Sequence, residues 1–108
     1  MDLTFLEEKY SMAKNLASLL NDNDIEQNLL VFYYFILTDG ANKERLEYAI
    51  FVVEEIARER YSKVKALYYI CMAIAMCMAC GLSKKHEHLL KHYCKLIRKM
   101  HDALPKPE

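Results

Sequence analysis

Cys77 and Cys80 form a C-x-x-C pair, and His86, His88, His92 and Cys94 follow within the next fourteen residues. Thiolates and imidazoles at such spacing are the donor set of a tetrahedral zinc site or of a dithiol redox centre. Cys77, Cys80, His88 and His92 are therefore the metal-ligand candidates. A competing reading is packing. The pair sits in the stretch "ALYYICMAIAMCMACG", and free cysteine in a reduced protein behaves mainly as a small buried hydrophobe. A chain with 54% hydrophobic residues has a core without needing a metal to fold. Packed thiols are the expectation, with no cofactor. His88 and His92, an i, i+4 pair among lysines, read as a solvated pair.

Catalytic patterns are sparse. There is no glycine-rich phosphate loop, no nucleophile elbow and no His-Glu-x-x-His. The adjacent Glu54 and Glu55 would diverge by about 100° on a helix rather than converge on a substrate. No catalytic residue is assigned, and the chain is expected not to be an enzyme.

The elements that carry these residues are helical throughout. Of 108 residues only two are glycine and two proline, and Pro105 and Pro107 lie in the last four positions. The fold class is all-α with about five helices, either an antiparallel bundle or a short stack of helical hairpins. One helical domain covers residues 1–104, followed by a short tail at 105–108. Thr4 with Glu7 predicts a capping box opening helix 1 over about residues 4–20, and the cluster "NDND" ends it. Asp24 with Gln27 restarts the chain as helix 2, about 25–38, whose "LLVFYYFIL" is apolar on nearly every side and predicts a helix packed between neighbours. Gly40 is expected to supply a left-handed stop, and Asn42 to cap helix 3. Helix 4 begins near Tyr61 and Ser62 and ends at Gly81; Ser83 caps helix 5, which reaches about Ala103.

The uncharged run from Ala66 to Leu82 is 17 residues long, the lower edge of a membrane span. Four of those residues are alanine and two tyrosine, and lysines flank both ends, so a buried central helix is expected and Ile70 and Ile74 are placed in the core. The amino terminus, "MDLTFLEEKY", has no basic segment followed by an apolar one. A cytoplasmic location without membrane association follows as an expectation, and the cysteines are then free thiols.

A weak internal repeat is present. A shift of 41 residues lays Tyr48–Arg58 over Leu89–Lys99, and a shift of 36 matches Ala13, Leu16 and Leu20 to Ala49, Val52 and Ile56. Helices 1, 3 and 5 correspond, as do 2 and 4. On those residues, the stretch "LEYAIFVVEEIARERYSKVKALYYICMAIAMCMACG" resembles tetratricopeptide-like helical hairpin repeats: alanines in a first helix, a short turn, "KALYYI" opening a second helix, and a closing glycine. The resemblance implies stacked hairpins, each burying its apolar face against a neighbour.

Charge is the most directional feature. The net charge is zero. Residues 1–60 nevertheless hold 12 acidic and 6 basic residues, net −6, while 61–108 hold 3 acidic and 9 basic, net +6. Helix 5 places Leu89, Leu90, Tyr93, Leu96, Ile97 and Met100 on one side and Lys84, Lys91, Lys95, Arg98 and Lys99 on the other. This basic face is the candidate partner-binding surface. The expected function is a small protein–protein interaction module that self-associates as a homodimer. The alternative is a nucleic-acid-associated regulator in which the same lysines and Arg98 meet phosphates.

Overall fold

The computed structural model describes residues 1–81 and 84–103; the proposed cap Ser83 and the tail at 105–108 lie outside them. Five α-helices follow one another, α1 (Leu3–Leu19), α2 (Asn23–Asp39), α3 (Lys43–Arg60), α4 (Lys63–Cys77) and α5 (Lys84–Ala103), with a 3₁₀ turn at Met78–Cys80 closing α4. The all-α class and the helical bundle are as the sequence predicts.

The starts of α1, α2 and α3 are each capped by a side chain, and two of these caps differ from expectation. Helix α1 is capped by Asp2, whose Oδ1 accepts from the Phe5 backbone N–H at 3.0 Å, not by Thr4. Helix α2 is capped by Asp22, whose Oδ1 accepts from Ile25 N–H at 3.0 Å, not by Asp24. In both, an aspartate two residues earlier is the cap; at α1 the Asp2 carboxylate is a stronger acceptor than the Thr4 hydroxyl and is favoured by the positive end of the helix dipole. Asn42 caps α3 as expected, by accepting from Arg45 N–H at 3.2 Å.

The helix ends redistribute the roles of the turn residues. The left-handed residue after α1 is Asn21, with φ 55°, one of the "NDND" residues expected to stop the helix. Gly81, at φ 79°, ends α4 in a conformation only glycine adopts freely. Gly40 does not supply a left-handed stop, because its φ and ψ of −60° and −21° are helical. Its role is space: a Cβ there would lie 2.5 Å from the Ile36 carbonyl oxygen and 2.7 Å from Cys80 Sγ. Glycine at this position lets the α2–α3 corner rest on the end of α4.

Helix α4 is the axis of the bundle and packs on all four other helices. Its buried residues surround the helix: Leu67, Tyr69, Ile70, Cys71, Ala73, Ile74, Met76 and Cys77. Around it are the single buried stripes of α1 (Leu6, Ala13, Ala17), α2 (Ile25, Leu29, Phe32, Ile36) and α3 (Leu46, Ile50, Val53, Ala57). By length and composition the segment Lys63–Cys80 could cross a membrane, with a mean hydropathy of 1.5. Half of it is buried within the bundle, as in the core helix of a packed domain.

Contacts at the helix ends fix the directions. The α1 start meets the α4 end, where Asp2 N–H donates to the Ala79 carbonyl at 3.2 Å. The α2 start meets the α4 start, where Lys65 Nζ donates to Asp22 Oδ2 at 3.0 Å. Thus α2 and α4 run one way. Helix α3 runs the other way, from Gly40 beside Cys80 to Tyr61, whose ring meets Tyr69 edge-on at 5.4 Å.

Helix α2 departs from expectation. The sequence predicts apolar contacts on all sides, yet only one stripe is buried, and Val31 and Tyr34 are 67% and 58% exposed. The reason is tertiary: α1 and α4 take one side of α2, and α3 diverges from it instead of closing over it.

Candidate interaction surface

Where α2 and α3 diverge they leave an apolar groove of about 270 Å³. Phe32, Val53 and Tyr69 form its floor, Val31 and Phe35 one wall, and Tyr48 and Val52 the other. One end is closed by polar groups. Tyr61 OH accepts from Asn28 Nδ2 at 2.6 Å and donates to Asp24 Oδ2, also at 2.6 Å. Burial, then the neighbouring Asp24 carboxylate, pushes the Tyr61 hydroxyl well above its ordinary pKa, so it stays a donor. Burial likewise pushes Tyr69, beneath the groove, up to about 12. The other end carries the Arg45–Asp39 ion pair, N to O 3.2 Å.

The outer ridge of α3 continues the apolar rim. Tyr48 is 69% and Phe51 56% exposed, and their ring centroids are 6.5 Å apart. Glu44 and Glu47 are exposed beside them. Glu54 and Glu55 both bridge to Arg58, at 3.4 and 3.2 Å.

Helix α5 packs along α4. Leu89, Leu90 and Tyr93 pack against the core. Burial, then the Glu54 carboxylate, raises the Tyr93 hydroxyl pKa, and Arg58 offsets it. The sequence-predicted basic face is exposed along its length: Lys84, Lys91, Lys95, Arg98 and Lys99, with His88 and His92 among them. His86, by contrast, is buried.

The structure does not assemble the drawn metal site. Cys77 is wholly buried in the core and Cys80 half-buried, while His88 and His92 are exposed on α5. Among the described residues no group of three or more His, Cys, Asp or Glu side chains is placed to hold a metal ion. Burial pushes the Cys77 and Cys80 thiols above their ordinary pKa, so both are held protonated. Sequence spacing did not reveal a different pair: Cys71 of α4 and Cys94 of α5 have their Sγ atoms 3.8 Å apart, with Cys71 buried and Cys94 exposed. Burial, then Cys94, raises the Cys71 pKa. In the native protein Cys94 is expected to react first with an alkylating reagent, and Cys71 and Cys77 only after unfolding. Peptide mass spectrometry checks this, and equally fast labelling of Cys77 would contradict its core placement.

The chain matches no protein-family model, no curated protein and no solved structure.

Proposed function

We infer that the protein is a cytoplasmic helical protein–protein interaction module without catalytic activity, and that its partner is a second copy of itself. The observation that carries this reading is the exposed apolar rim of α2 and α3. Val31, Tyr48 and Phe51 are each more than half exposed around an apolar groove, whereas large apolar side chains on a monomer are normally scattered singly. Tyrosine and phenylalanine supply rigid contact area at low entropic cost and are enriched at interface centres. The resemblance to tetratricopeptide-like hairpins supports the same class, because stacked helical hairpins present extended binding surfaces.

Phe51→Glu tests it. Phe51 is exposed, so the variant is expected to keep its helix content and to melt within a few degrees of wild type. Its dimer dissociation constant is expected to rise at least tenfold, about 1.4 kcal/mol. Unchanged association in a sedimentation dilution series would remove the rim from the interface.

The exposed basic face of α5 favours one second reading, nucleic-acid association through Lys84, Lys91, Lys95, Arg98 and Lys99. Phosphate binding weakens steeply with salt through counterion release, whereas apolar association does not, so a salt titration with a duplex oligonucleotide separates the two.

A further inference from the structure

Of the four cysteines, Cys94 on α5 is the exposed one, and the thiol beside it is Cys71 of α4, with Sγ atoms 3.8 Å apart. Both lie near the middle of helices that pack along one another, and they stand 23 residues apart in the chain. A disulfide bond is about 2 Å long, so joining them asks for a closure of less than about 2 Å between side chains already in contact. The other two thiols are placed differently. Cys77 has no exposed surface, and Cys80 Sγ abuts the α2–α3 corner at Gly40.

The surroundings set an order of events. Cys94 is flanked on α5 by Lys91 one turn before it, Lys95 next to it and Arg98 one turn after it, all exposed. These cations favour the approach of an anionic reagent. Burial, then Cys94, holds Cys71 as a protonated thiol, so Cys71 does not start the reaction. Helix α5 is also loosely anchored. Among its described side chains only His86 is buried, with Leu89, Leu90, Tyr93, Leu96 and Ile97 partly buried, whereas α4 buries eight. An element with so little buried apolar surface opens locally at a cost below that of global unfolding, which gives Cys71 and Cys94 the freedom to close on one another.

We propose that Cys94 is a modification site for anionic small-molecule disulfides of the glutathione class, and that Cys71 resolves the adduct into a disulfide tying α5 to α4. In the first step Cys94 gives its proton to water and its sulfur attacks one sulfur of the oxidised reagent. The reagent's S–S bond breaks, and one half leaves as a thiolate that takes up a proton. In the second step Cys71 loses its proton and its sulfur attacks Cys94 Sγ; the mixed disulfide breaks and the other half leaves as a thiol. The protein dithiol is thereby oxidised to a disulfide and the reagent is reduced to two thiols. In the cytoplasm inferred for the chain such a bond is transient and follows the redox state. Once formed, it fixes α5 on α4 at mid-helix and stabilises the fold by restricting the unfolded chain. This inference goes beyond self-association and does not depend on it.

The test is incubation of the reduced wild-type protein with oxidised glutathione, read by mass spectrometry of unreduced peptides and by thermal melts. The expected product is a Cys71–Cys94 cross-link within one 12.7 kDa chain, preceded by a glutathione adduct on Cys94. The oxidised protein is expected to melt about 10 °C above the reduced one, and dithiothreitol to reverse the shift. In Cys71→Ala, or in Cys71→Val should the first not fold, the adduct on Cys94 is expected to accumulate without a cross-link. In Cys94→Ser neither is expected to form. Added salt is expected to slow the reaction of Cys94 with oxidised glutathione and to leave that with the uncharged hydroxyethyl disulfide unchanged. Equal salt dependence would overturn the anionic class of reagent. A wild-type protein in which glutathione stays on Cys94 with Cys71 free, in which Cys77 and Cys80 are the pair that bonds, or in which the cross-link joins two chains would overturn the pairing. A Cys71–Cys94 bond that leaves the melting temperature unchanged or lowers it would overturn the tether.

Discussion

Ile74→Asp is expected to abolish cooperative folding. Ile74 has no exposed surface and lies in the last turn of α4, which packs on the other four helices. A carboxylate there has no water and no partner cation. Whether it stays ionised or takes up a proton, the substitution costs about 4 kcal/mol or more, and loss of the isoleucine packing adds to that. A domain of this size is stabilised by only about 5–15 kcal/mol in total. Ile74→Val, which removes one methylene and introduces no charge, is expected to cost about 1 kcal/mol and keep a sharp thermal transition. The pair of melts by circular dichroism separates the polar effect from the volume effect. A melting temperature for Ile74→Asp within a few degrees of wild type would contradict the position of α4 at the centre.

Asp22→Ala is expected to lower stability by about 2 kcal/mol, because one carboxylate performs two tasks there. Its Oδ1 caps α2 through Ile25 N–H, and its Oδ2 accepts from Lys65 at the start of α4, with the side chain only 14% exposed. The substitution thus frays a helix start and unties the α1–α2 corner from α4. At about 4–8 °C per kcal/mol for a domain near this size, the melting temperature should fall by about 10 °C. The pH dependence has a definite sign. The Ile25 N–H and, after it, Lys65 hold the Asp22 carboxyl below its ordinary value of 3.8. Its contribution is therefore complete above pH ~4 and is lost as the pH falls through the lower folded-state value. The gap between wild type and Asp22→Ala should be constant near neutrality and close in acid. A gap that persists unchanged below pH 3 would mean that the charge of Asp22 does not carry the effect.

Local chemistry made most of the fold legible in the sequence. The breaks at "NDND", at Asn42 and at Gly81 were legible because asparagine, aspartate and glycine act on the backbone within a few residues of themselves. The buried position of α4 was legible too, since a helix that carries no charge after Lys65, in a chain of amphipathic ones, belongs at the centre. Features set by distant contacts were not legible. Gly40 looked like a helix stop, but its requirement comes from Cys80, forty residues away. Val31 and Tyr34 looked like core, and they are exposed because α3 diverges from α2, which no residue within α2 specifies. The drawn zinc site joined residues adjacent in sequence, whereas the fold sends Cys77 inward and His88 and His92 outward. The basic residues of α5 were visible by spacing alone, and they are exposed in the fold.

The central claim is that the chain associates with itself through the exposed apolar rim of α2 and α3. Sedimentation equilibrium of the wild-type protein, from low to high micromolar concentration at physiological salt, tests it most directly. The predicted result is a concentration-dependent shift from one to two times the 12.7 kDa chain mass, changed little by added salt. A single 12.7 kDa species at every concentration would contradict it.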